Sequence, residues 1–239
     1  MNIICLEKVD STNTYAKTNI EKLADKTIIH TLRQTNGHGR LQRTWIDIGG
    51  ENLFLSIVLK PSNEYKEVYS NLTQYLSVVL VKLLKEYDIN AQIKWPNDVL
   101  IDGKKVAGIL SESVIQGNNF KGMVIGIGIN INTDKKDLEK VTDKDATSLS
   151  VELNKTVDLK TFLAQLTEGF FSKYDEFLEK GFDYIKKDYI NSACFLDKEV
   201  CVQMFNEKKS GIAKSVTGKG ELVISDSEKE FVLSIGDIL

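Results

Sequence analysis

Residues 93–132 have the pattern of strands joined by tight turns, and this pattern constrains the fold more than any other part of the sequence. Apolar residues dominate IKWPNDVLI, KVAGILSESVI and FKGMVIGIGININ, and polar turns separate these segments. The turn Asp102-Gly103 has residue types that tolerate the positive φ of a hairpin. We therefore predict a meander of antiparallel strands. Since strand side chains alternate between faces, one of Lys104 and Lys105 should point away from solvent, which is costly unless an anion meets it.

Helical patterns and shorter strands surround this meander. Apolar spacing and cap residues predict a helix after residues 10–13, strands at 28–33 and 53–59, and helices over 67–87 and 158–178. From about residue 198 the chain changes to short apolar runs joined by polar turns, which is typical of a small barrel. The chain is long enough to bury a large core. We expect a domain boundary near Asn191.

Composition and charge argue against several kinds of partner. The chain has 239 residues, with 31 Lys and Arg against 34 Asp and Glu, for a formal net charge of -3. It has no long basic run that could follow a phosphate backbone, so nucleic acid is a poor candidate partner. The N-terminal residues are too polar for a signal peptide or a membrane span. We therefore expect a cytoplasmic protein that binds no membrane.

Cysteine and histidine are scarce in this chain. Three Cys residues without CxxC spacing and only two His residues argue against disulfides and against a Cys/His metal site. We expect the three thiols to be reduced and buried.

A glycine-rich cationic segment, QTNGHGRLQRTW, follows the predicted strand at residues 28–33. Its glycines let backbone N–H groups approach an anion, and Arg40 and Arg43 can form bidentate bonds to phosphate oxygens. The spacing fits neither the Walker pattern nor the dinucleotide fingerprint. The alternative is a plain surface loop with solvated arginines, and the segment alone does not decide between the two.

The segment KWPND places an amide and a carboxylate at the end of a strand, where Pro96 fixes one backbone angle. Asn97 and Asp98 could present a base or a metal ligand there. Alternatively, they could serve only the hydrogen bonding of the turn.

Alternate glycines interrupt the apolar segment GIGININ, residues 126–132. Glycine weakens a strand unless something must approach its backbone closely. A bound ligand would meet that requirement, and so would packing against another strand or helix.

In order and spacing, these motifs together with Ser11 and Thr12 resemble the biotin protein ligases. KWPND followed by GKKVAGIL is the most specific part, the glycine loop adds support, and the tail motif SIGDIL is weak. The resemblance implies an α+β fold: a mixed, mainly antiparallel sheet flanked by helices, similar to class II synthetases, at residues 1–190, and a small SH3-like β-barrel at residues 191–239. Some members carry an N-terminal DNA-binding domain. Because the first motif begins at Asp10, we expect the ligase-only type.

The resemblance also implies a reaction. Enzymes of this family make biotinoyl-5'-AMP from biotin and ATP with Mg2+, and then transfer biotin to one lysine of a biotin carboxyl carrier protein or domain. Matched by position, Arg40, Lys105 and Asp98 would be the catalytic residues. Arg40 would contact the phosphates and retain the adenylate, while Lys105 would touch the biotin carboxylate and the α-phosphate. Asp98 would orient the acceptor lysine and take its proton.

The same resemblance implies two sets of ligand-binding residues. Biotin would be bound by polar side chains and by glycines that allow close backbone approach: Ser11, Thr12, Gln34, Gly37, Lys105, Gly108 and Gly126. ATP and the adenylate would be bound by cationic, aromatic and amide side chains: Arg40, Arg43, Trp45, Asn97 and Asn130. We expect no certain metal ligand in the protein, since Mg2+ would be held mainly through the phosphates of ATP.

The glycine loop departs from the family's usual GRGRxGRxW. His38 replaces an arginine, so a permanent charge is lost and phosphate affinity should fall as pH rises. Gln42 replaces a glycine, so the loop should be stiffer or differently folded there if that position needs a positive φ. Phe54, where a tyrosine is frequent, removes one hydroxyl from the pocket.

Two other functions fit less of the sequence. A lipoate or octanoate ligase shares the fold, but the chain lacks the arginine-rich segment and triple-glycine turn of those enzymes. A non-catalytic module that senses biotin would have no need for Arg40, Lys105 and Asp98 together. The sequence does not distinguish a monomer from a homodimer formed through the sheet.

Overall fold

The structure is a computed structural model that describes residues 2–140 and 145–239. Its strands are β1 (Asn2–Leu6), β2 (Thr27–Thr31), β3 (Gly37–His38), β4 (Thr44–Trp45), β5 (Leu53–Leu59), β6 (Ala91–Lys94), β7 (Asp98–Ile101), β8 (Lys104–Gln116), β9 (Asn119–Ile129), β10 (Glu199–Gln203), β11 (Lys208–Val216), β12 (Leu222–Ser225), β13 (Glu230–Leu233) and β14 (Asp237–Ile238). Its α-helices are α1 (Thr12–Thr18), α2 (Leu72–Glu86), α3 (Lys135–Leu138), α4 (Leu149–Leu153), α5 (Leu159–Ser172), α6 (Tyr174–Lys180) and α7 (Asp183–Asn191). Short 3-10 helices span Arg40–Gln42 and Glu67–Asn71.

A seven-stranded sheet in the order β1-β2-β5-β9-β8-β7-β6 forms the centre of the molecule. The pair β1 and β2 is parallel, and the other neighbouring strands are antiparallel. Strands β6 to β9 are the predicted meander, and Asp102 and Gly103 both have positive φ at the turn between β7 and β8. The predicted α+β class, with a mainly antiparallel sheet flanked by helices, is confirmed.

The two faces of this sheet are covered differently because strand side chains alternate between them. Leu55 and Ile57 of β5 face the main core, which includes α2, α5 and α7. Val58 of β5 and Val124 of β9 face α1 on the opposite side. Along that second face, small residues replace large apolar ones near Ser56, and this opening carries the candidate site.

A five-stranded antiparallel sheet follows α7, in the order β13-β12-β11-β10-β14. Its apolar residues belong to the same core cluster as the central sheet. Trp95 Nε1 and Gln74 Nε2 also donate hydrogen bonds to the carbonyl of Gly220, at 3.1 and 2.8 Å. The predicted small C-terminal β domain is present, whereas the boundary near Asn191 stays a prediction because the core runs across it.

Two predicted helices differ from the observed ones. The first, predicted to run from residues 10–13 to just before the strand at 28–33, ends already at Thr18, where the side chain of Asn19 donates to the Tyr15 carbonyl at 2.9 Å and caps the helix. The second, predicted as continuous over residues 158–178, is broken at Lys173, whose φ of -127° is not helical. Asp158 caps its first part as predicted, by accepting from the backbone N–H of Thr161.

The cysteines are free thiols, but the expectation that all three are buried is wrong. Cys5 is exposed because it lies on the edge strand β1, and Cys194 and Cys201 are half-buried. In the part of the chain that the structure describes, none of the helices is both long and apolar enough to cross a membrane. The cytoplasmic location stays a prediction.

Candidate active site

A cavity of about 490 Å³ opens between the glycine loop, the strand ends of β7 to β9, and the C-terminal sheet. Three cationic side chains line it, those of Arg40, Arg43 and Lys105. Asp237 of β14 lines it from the C-terminal side. With Asp98 also in its lining, the cavity holds three cationic side chains and two carboxylates in a concave space of the size that small ligands occupy.

A much smaller pocket, of about 30 Å³, lies beside the large cavity. Both spaces are lined by His38, Trp45, Gly108 and Leu110. The small pocket is also lined by two apolar residues, Phe54 and Ile127, and by polar residues and glycines: Ser11, Thr12, Asn13, Gln34, Gly126 and Gly128. A ligand that spans both spaces would meet hydrogen-bonding groups at one end and cationic groups at the other.

Trp45 lies at the junction of the two spaces. Its indole packs on Gly108 and Gly128, which are direct partners on the neighbouring strands β8 and β9. A Cβ at Gly108 would lie 2.7 Å from the indole, and one at Gly128 would lie 2.6 Å from it. The glycine pair is therefore required for the indole to approach the sheet, and the indole keeps the small pocket narrow.

Lys105 forms an ion pair with Asp98, with 2.6 Å between Nζ and Oδ1. Its Nζ also lies 5.3 Å from the centre of the Trp45 ring. Lys105 is half-buried while Lys104 is exposed, which confirms that one of the two lysines points away from solvent. Burial lowers the pKa of the neighbouring Lys94, and the charge of Asp98 opposes that shift. The amines of Lys94 and Lys105 and the carboxylate of Asp98 therefore interact electrostatically with one another.

Both loop arginines contact the C-terminal sheet through one carboxylate. Arg40 Nε lies 2.9 Å from Asp237 Oδ1, and Arg43 Nη1 lies 3.1 Å from Asp237 Oδ2. Arg40 also donates to the carbonyl of Gly236 at 3.2 Å. A buried carboxylate of the C-terminal domain therefore neutralises charges that the sequence assigned to phosphate binding.

The glycine loop forms a short hairpin of β3 and β4 with a left-handed segment between them. Leu41 and Gln42 have φ of 50° and 62°. Gln42 thus adopts the conformation that a glycine would adopt more easily, at a cost on the order of 1 kcal/mol. The structure therefore meets the condition that the sequence left open, since this position has a positive φ.

Comparison with known proteins decides the family. A model of the Biotin/lipoate A/B protein ligase family matches residues 5–130, which is more than half of the chain. The chain belongs to this family. The matched range includes the small pocket, the glycine loop and the Lys105–Asp98 pair.

Relatives and solved structures of the biotin/lipoate A/B protein ligase family cover most of the chain. It is 30% identical to the bifunctional ligase/repressor BirA of Bacillus subtilis over 84% of its length, but spans 62% of that relative. It is 28% identical to the biotin--[acetyl-CoA-carboxylase] ligase of Paracoccus denitrificans, covering 92% of each chain. The biotin protein ligase of Aquifex aeolicus in complex with biotin and ATP matches with a TM-score of 0.81 at 27% identity, covering 100% of this chain and 97% of that one.

Most of the residues that the sequence assigned to this ligase-family site converge. Large-cavity residues among them are Arg40, Arg43, Trp45, Asn97, Asp98, Lys105, Gly108 and Asn130. Small-pocket residues among them are Ser11, Thr12, Gln34, Trp45, Gly108 and Gly126. Gly37 lines neither space, but a Cβ there would lie 2.5 Å from Gln34 Nε2. Their roles toward a ligand stay predictions.

Several of these side chains also have structural partners. Ser11 caps α1 by accepting from the backbone N–H of Thr14. The amide of Asn97 donates to the carbonyl of Ile109, which holds the turn after β6 against β8. Asn130 Nδ2 donates to the carbonyl of Thr147 at 3.1 Å. These bonds fix the side chains at the rim of the two spaces.

The fit of the site to a metal ion depends on the carboxylates that line the large cavity. Within residues 2–140 and 145–239, no group of three or more His, Cys, Asp or Glu side chains could hold a metal ion. The carboxylates of Asp98 and Asp237 in the cavity lining are already paired with cations. Oxygen-rich phosphates bind Mg2+ without a dedicated protein cage.

Sequence reasoning missed Asn13, Ser56 and Asp237 as residues of the site. The sequence pattern of Asn13 indicates only a helix cap, whereas in the structure the residue is buried and turned toward β9. Ser56 interrupts the otherwise apolar strand LFLSIVL, and this single polar residue was the available signal. For Asp237 the signal was the Gly-Asp pair in the weak tail motif SIGDIL.

Proposed function

We propose that the chain is an ATP-dependent biotin protein ligase. It would form biotinoyl-5'-AMP and then transfer biotin to a lysine of a biotin carboxyl carrier protein or domain. The observation that carries the proposal is the junction of a buried polar pocket with a cavity that holds three cationic side chains. The polar pocket suits the ureido ring of biotin, and the cationic cavity suits the triphosphate.

In the first step, an oxygen of the biotin carboxylate attacks the α-phosphorus of ATP, and pyrophosphate leaves. Two anions must meet, so cations are needed to offset their repulsion and to stabilise charge on the α-phosphate. Lys105 at the junction is the residue for this role, with Arg40 and Arg43 beside the phosphates. Mg2+ bound to the phosphates would neutralise further charge.

In the second step, the amine of the acceptor lysine attacks the acyl carbon, and AMP leaves with the electron pair of the broken C–O bond. A free lysine amine has a pKa of about 10.4, so it must lose a proton to react near neutral pH. Asp98, 2.6 Å from Lys105, is the carboxylate available to orient the amine and accept that proton.

Biotin needs more room than the small pocket of about 30 Å³ provides. Its rings would enter only when the Trp45 indole moves off Gly108 and Gly128. Moved toward the large cavity, the indole would offer a flat face to adenine. We therefore assign Trp45 to the adenylate side once biotin is bound.

The polar lining favours biotin over lipoate or octanoate. Thr12 and Gln34 line the pocket and are buried, and neither would gain a hydrogen-bond partner if an apolar dithiolane or alkyl chain filled the pocket. Such unpaired buried groups reject a ligand strongly.

The test is ATP-pyrophosphate exchange by the purified chain with Mg2+, in separate reactions with biotin, lipoate and octanoate and without an acceptor protein. We expect exchange with biotin only. Exchange with only lipoate or octanoate would transfer the assignment to the sister enzymes. If no acid supports exchange, a module that binds biotin without activating it becomes the better explanation, and calorimetry with biotin alone would then measure that binding.

A further inference from the structure

A chain of hydrogen bonds leads from the solvent side of β8 into the small pocket. Glu112 Oε2 lies 2.8 Å from Asn13 Nδ2, and Asn13 Oδ1 lies 2.6 Å from Ser56 Oγ. Ser56 Oγ lies 2.7 Å from Thr12 Oγ1. Asn13, Ser56 and Thr12 are at most 4% exposed, so water does not compete for the bonds among these three, whereas the Glu112 side chain is 26% exposed.

The strand register and the small size of one glycine determine the position of this chain of hydrogen bonds. Ser56 of β5 and Leu110 of β8 flank Gly126 of β9 in one row across the sheet. A Cβ at Gly126 would collide with the Asn13 amide. Gly126 therefore serves the Asn13 side chain, in addition to the close approach to biotin that the sequence suggested.

Two acceptors set the direction of the protons in this chain: Asn13 Nδ2 donates to Glu112 Oε2 at 2.8 Å and, over a longer distance of 3.5 Å, to the carbonyl of Leu110. A carboxylate can only accept, so the Asn13 amide must turn its nitrogen toward Glu112 and its oxygen toward Ser56. The Ser56 hydroxyl must then donate its single proton to that oxygen. With its proton committed, Ser56 can only accept from Thr12, because two lone pairs facing each other at 2.7 Å would repel.

The pocket consequently presents an acceptor to a ligand at Thr12. The Thr12 hydroxyl has two acceptors within reach, Ser56 Oγ at 2.7 Å and Gln34 Oε1 at 3.4 Å, and it donates over the shorter distance to Ser56. The remaining lone pair of its oxygen can then accept from a ligand N–H. Gln34 Oε1 accepts from the backbone N–H of Thr12 at 2.9 Å, which turns Gln34 Nε2 toward Gly37. An acceptor at Thr12 complements an N–H of a urea.

We propose that Glu112 is a positioning residue that sets this polarity, with Asn13 and Ser56 as the links to Thr12. The inference rests on the proposed function, because it takes the ureido group of biotin as the ligand. Glu112 does not line the small pocket. It acts through the orientation of the Asn13 amide, and its ion pair with Lys17, 2.5 Å from Nζ to Oε1, holds it in place.

The central variant is Glu112→Gln, whose amide can donate as well as accept. Only the long 3.5 Å bond to the Leu110 carbonyl then opposes a turn of the Asn13 nitrogen toward Ser56. That turn would reverse the Ser56 and Thr12 hydroxyls and leave Thr12 as a donor facing a ligand N–H. We expect the Kd for biotin, measured by calorimetry without ATP, to rise about tenfold or more. The KM for ATP in pyrophosphate exchange should stay within about twofold, since the cationic cavity is untouched.

A double variant tests orientation separately from packing. The double variant combines Asn13→Asp with Glu112→Gln, so the amide now stands at residue 112 and the carboxylate at residue 13. The amide at residue 112 donates to the carboxylate at residue 13, and this carboxylate accepts from the Ser56 hydroxyl as the Asn13 oxygen does in wild type. Residue 13 lies in the first turn of α1, where a carboxylate is favourable, and Lys17 is four residues further on the same face. Biotin affinity should recover to within about threefold of wild type, which a mere packing role for Glu112 would not explain.

Glu21→Gln is the matched control, because it removes an ion pair with Lys121 of β9 that has no link to the pocket. A biotin analogue methylated on one ureido nitrogen provides a second readout. Wild type should prefer biotin over the analogue by about a hundredfold, and Glu112→Gln should lose most of that preference.

Two results would overturn the inference while wild type binds biotin. One is a Glu112→Gln variant that matches Glu21→Gln in biotin affinity. The other is a double variant that binds biotin no better than the single one. A wild-type chain that binds no biotin at all would instead remove the proposed function, and this inference with it.

Discussion

At the scale of single residues, the ion pair of Lys105 and Asp98 brings together the groups proposed for the two half-reactions. Only 2.6 Å separates Nζ from Oδ1. Lys105 is the cation proposed for adenylation, and Asp98 is the base proposed for transfer. Because each neutralises the other, replacing one changes the charge that the other presents.

Single substitutions should separate the two half-reactions. Asp98→Asn should keep pyrophosphate exchange within a few-fold of wild type, but lower biotin transfer to a carrier domain by about a hundredfold or more. Lys105→Met should lower exchange itself by about a hundredfold or more. Both rates are measured with radiolabelled pyrophosphate and with carrier biotinylation. Asp102→Asn, at the exposed turn of the same hairpin, is the control. Equal losses of exchange and transfer in Asp98→Asn would contradict the assignment.

At the scale of elements, strand β2 carries a histidine whose surroundings disfavour its charged form. His30 Nδ1 is buried and has no hydrogen-bond partner in the described residues. Burial lowers the pKa of His30 below its ordinary value. Between that lowered pKa and the value of about 6.5 for an unfolded histidine, the unfolded chain binds the proton more strongly. Stability is therefore complete above about pH 6.5 and falls as pH drops through this window.

His30→Gln should flatten this pH dependence. The loss of Tm between pH 7.5 and pH 5.5 should be smaller in the variant than in wild type, whatever the change in Tm at pH 7.5. His38→Gln is the control, because His38 is the other histidine of the chain and is exposed. Thermal unfolding at both pH values provides the measurement. A Tm loss in His30→Gln as large as in wild type would show that other groups cause the effect.

The sequence predicted those elements whose cause is local. The strand at 53–59 has its predicted bounds because all seven of its residues are buried. The hairpin at Asp102-Gly103 follows from two residues that accept positive φ. Strand β1 was not predicted, because it is an edge strand whose partner β2 lies about twenty residues further along the chain.

The site shows the same limit. Local motifs named Arg40, Lys105 and Asp98, and the fold brings all three to one cavity. No local pattern connects Arg40 to Asp237, because 197 residues separate them. Partners of that kind follow from the packing of one domain on another, which the sequence pattern does not contain.

At the scale of the whole molecule, the C-terminal sheet docks through a tight turn at Gly220, whose φ is 79°. A Cβ there would lie 2.5 Å from Asn71 Nδ2 and from Gln74 Oε1 on the central domain. The glycine therefore lets the turn reach those amides. Since the two sheets also share one hydrophobic core, strain at this contact should lower the free energy of unfolding of the whole molecule.

Gly220→Ala should destabilise the protein more than Gly103→Ala, by about 1–3 kcal/mol. Gly103 is a close control, because its φ is 78° and a Cβ there would meet nothing within 4 Å. Both variants bear the same conformational cost, so the difference isolates the collision at the domain contact. Urea unfolding gives the two free energies. If Gly220→Ala and Gly103→Ala lower the free energy of unfolding equally, the turn at Gly220 can shift away from Asn71 and Gln74 without an energetic cost.

The second contact between the domains is the pairing of Arg40 and Arg43 with Asp237. A triphosphate in the cavity would have to replace this carboxylate as the partner of the arginines. Asp237→Asn should therefore lower the KM for ATP by a few-fold, since the amide competes less with phosphate. Steady-state exchange kinetics with varied ATP provide the measurement, and Asp226→Asn in the exposed turn before β13 is the control. A higher KM in Asp237→Asn would mean that the carboxylate organises the loop instead of competing with phosphate.

The position of Trp45 against Gly108 and Gly128 makes its intrinsic fluorescence a probe of ligand binding. The chain has two tryptophans, and the other, Trp95, is 2% exposed and hydrogen-bonded to Gly220. The emission of Trp95 should stay constant while the site fills, because its surroundings are core. A ligand that displaces the Trp45 indole from Gly108 and Gly128 moves the indole between environments of different polarity, which changes its emission. The intrinsic fluorescence of the unlabelled protein therefore reports the occupation of the small pocket in real time.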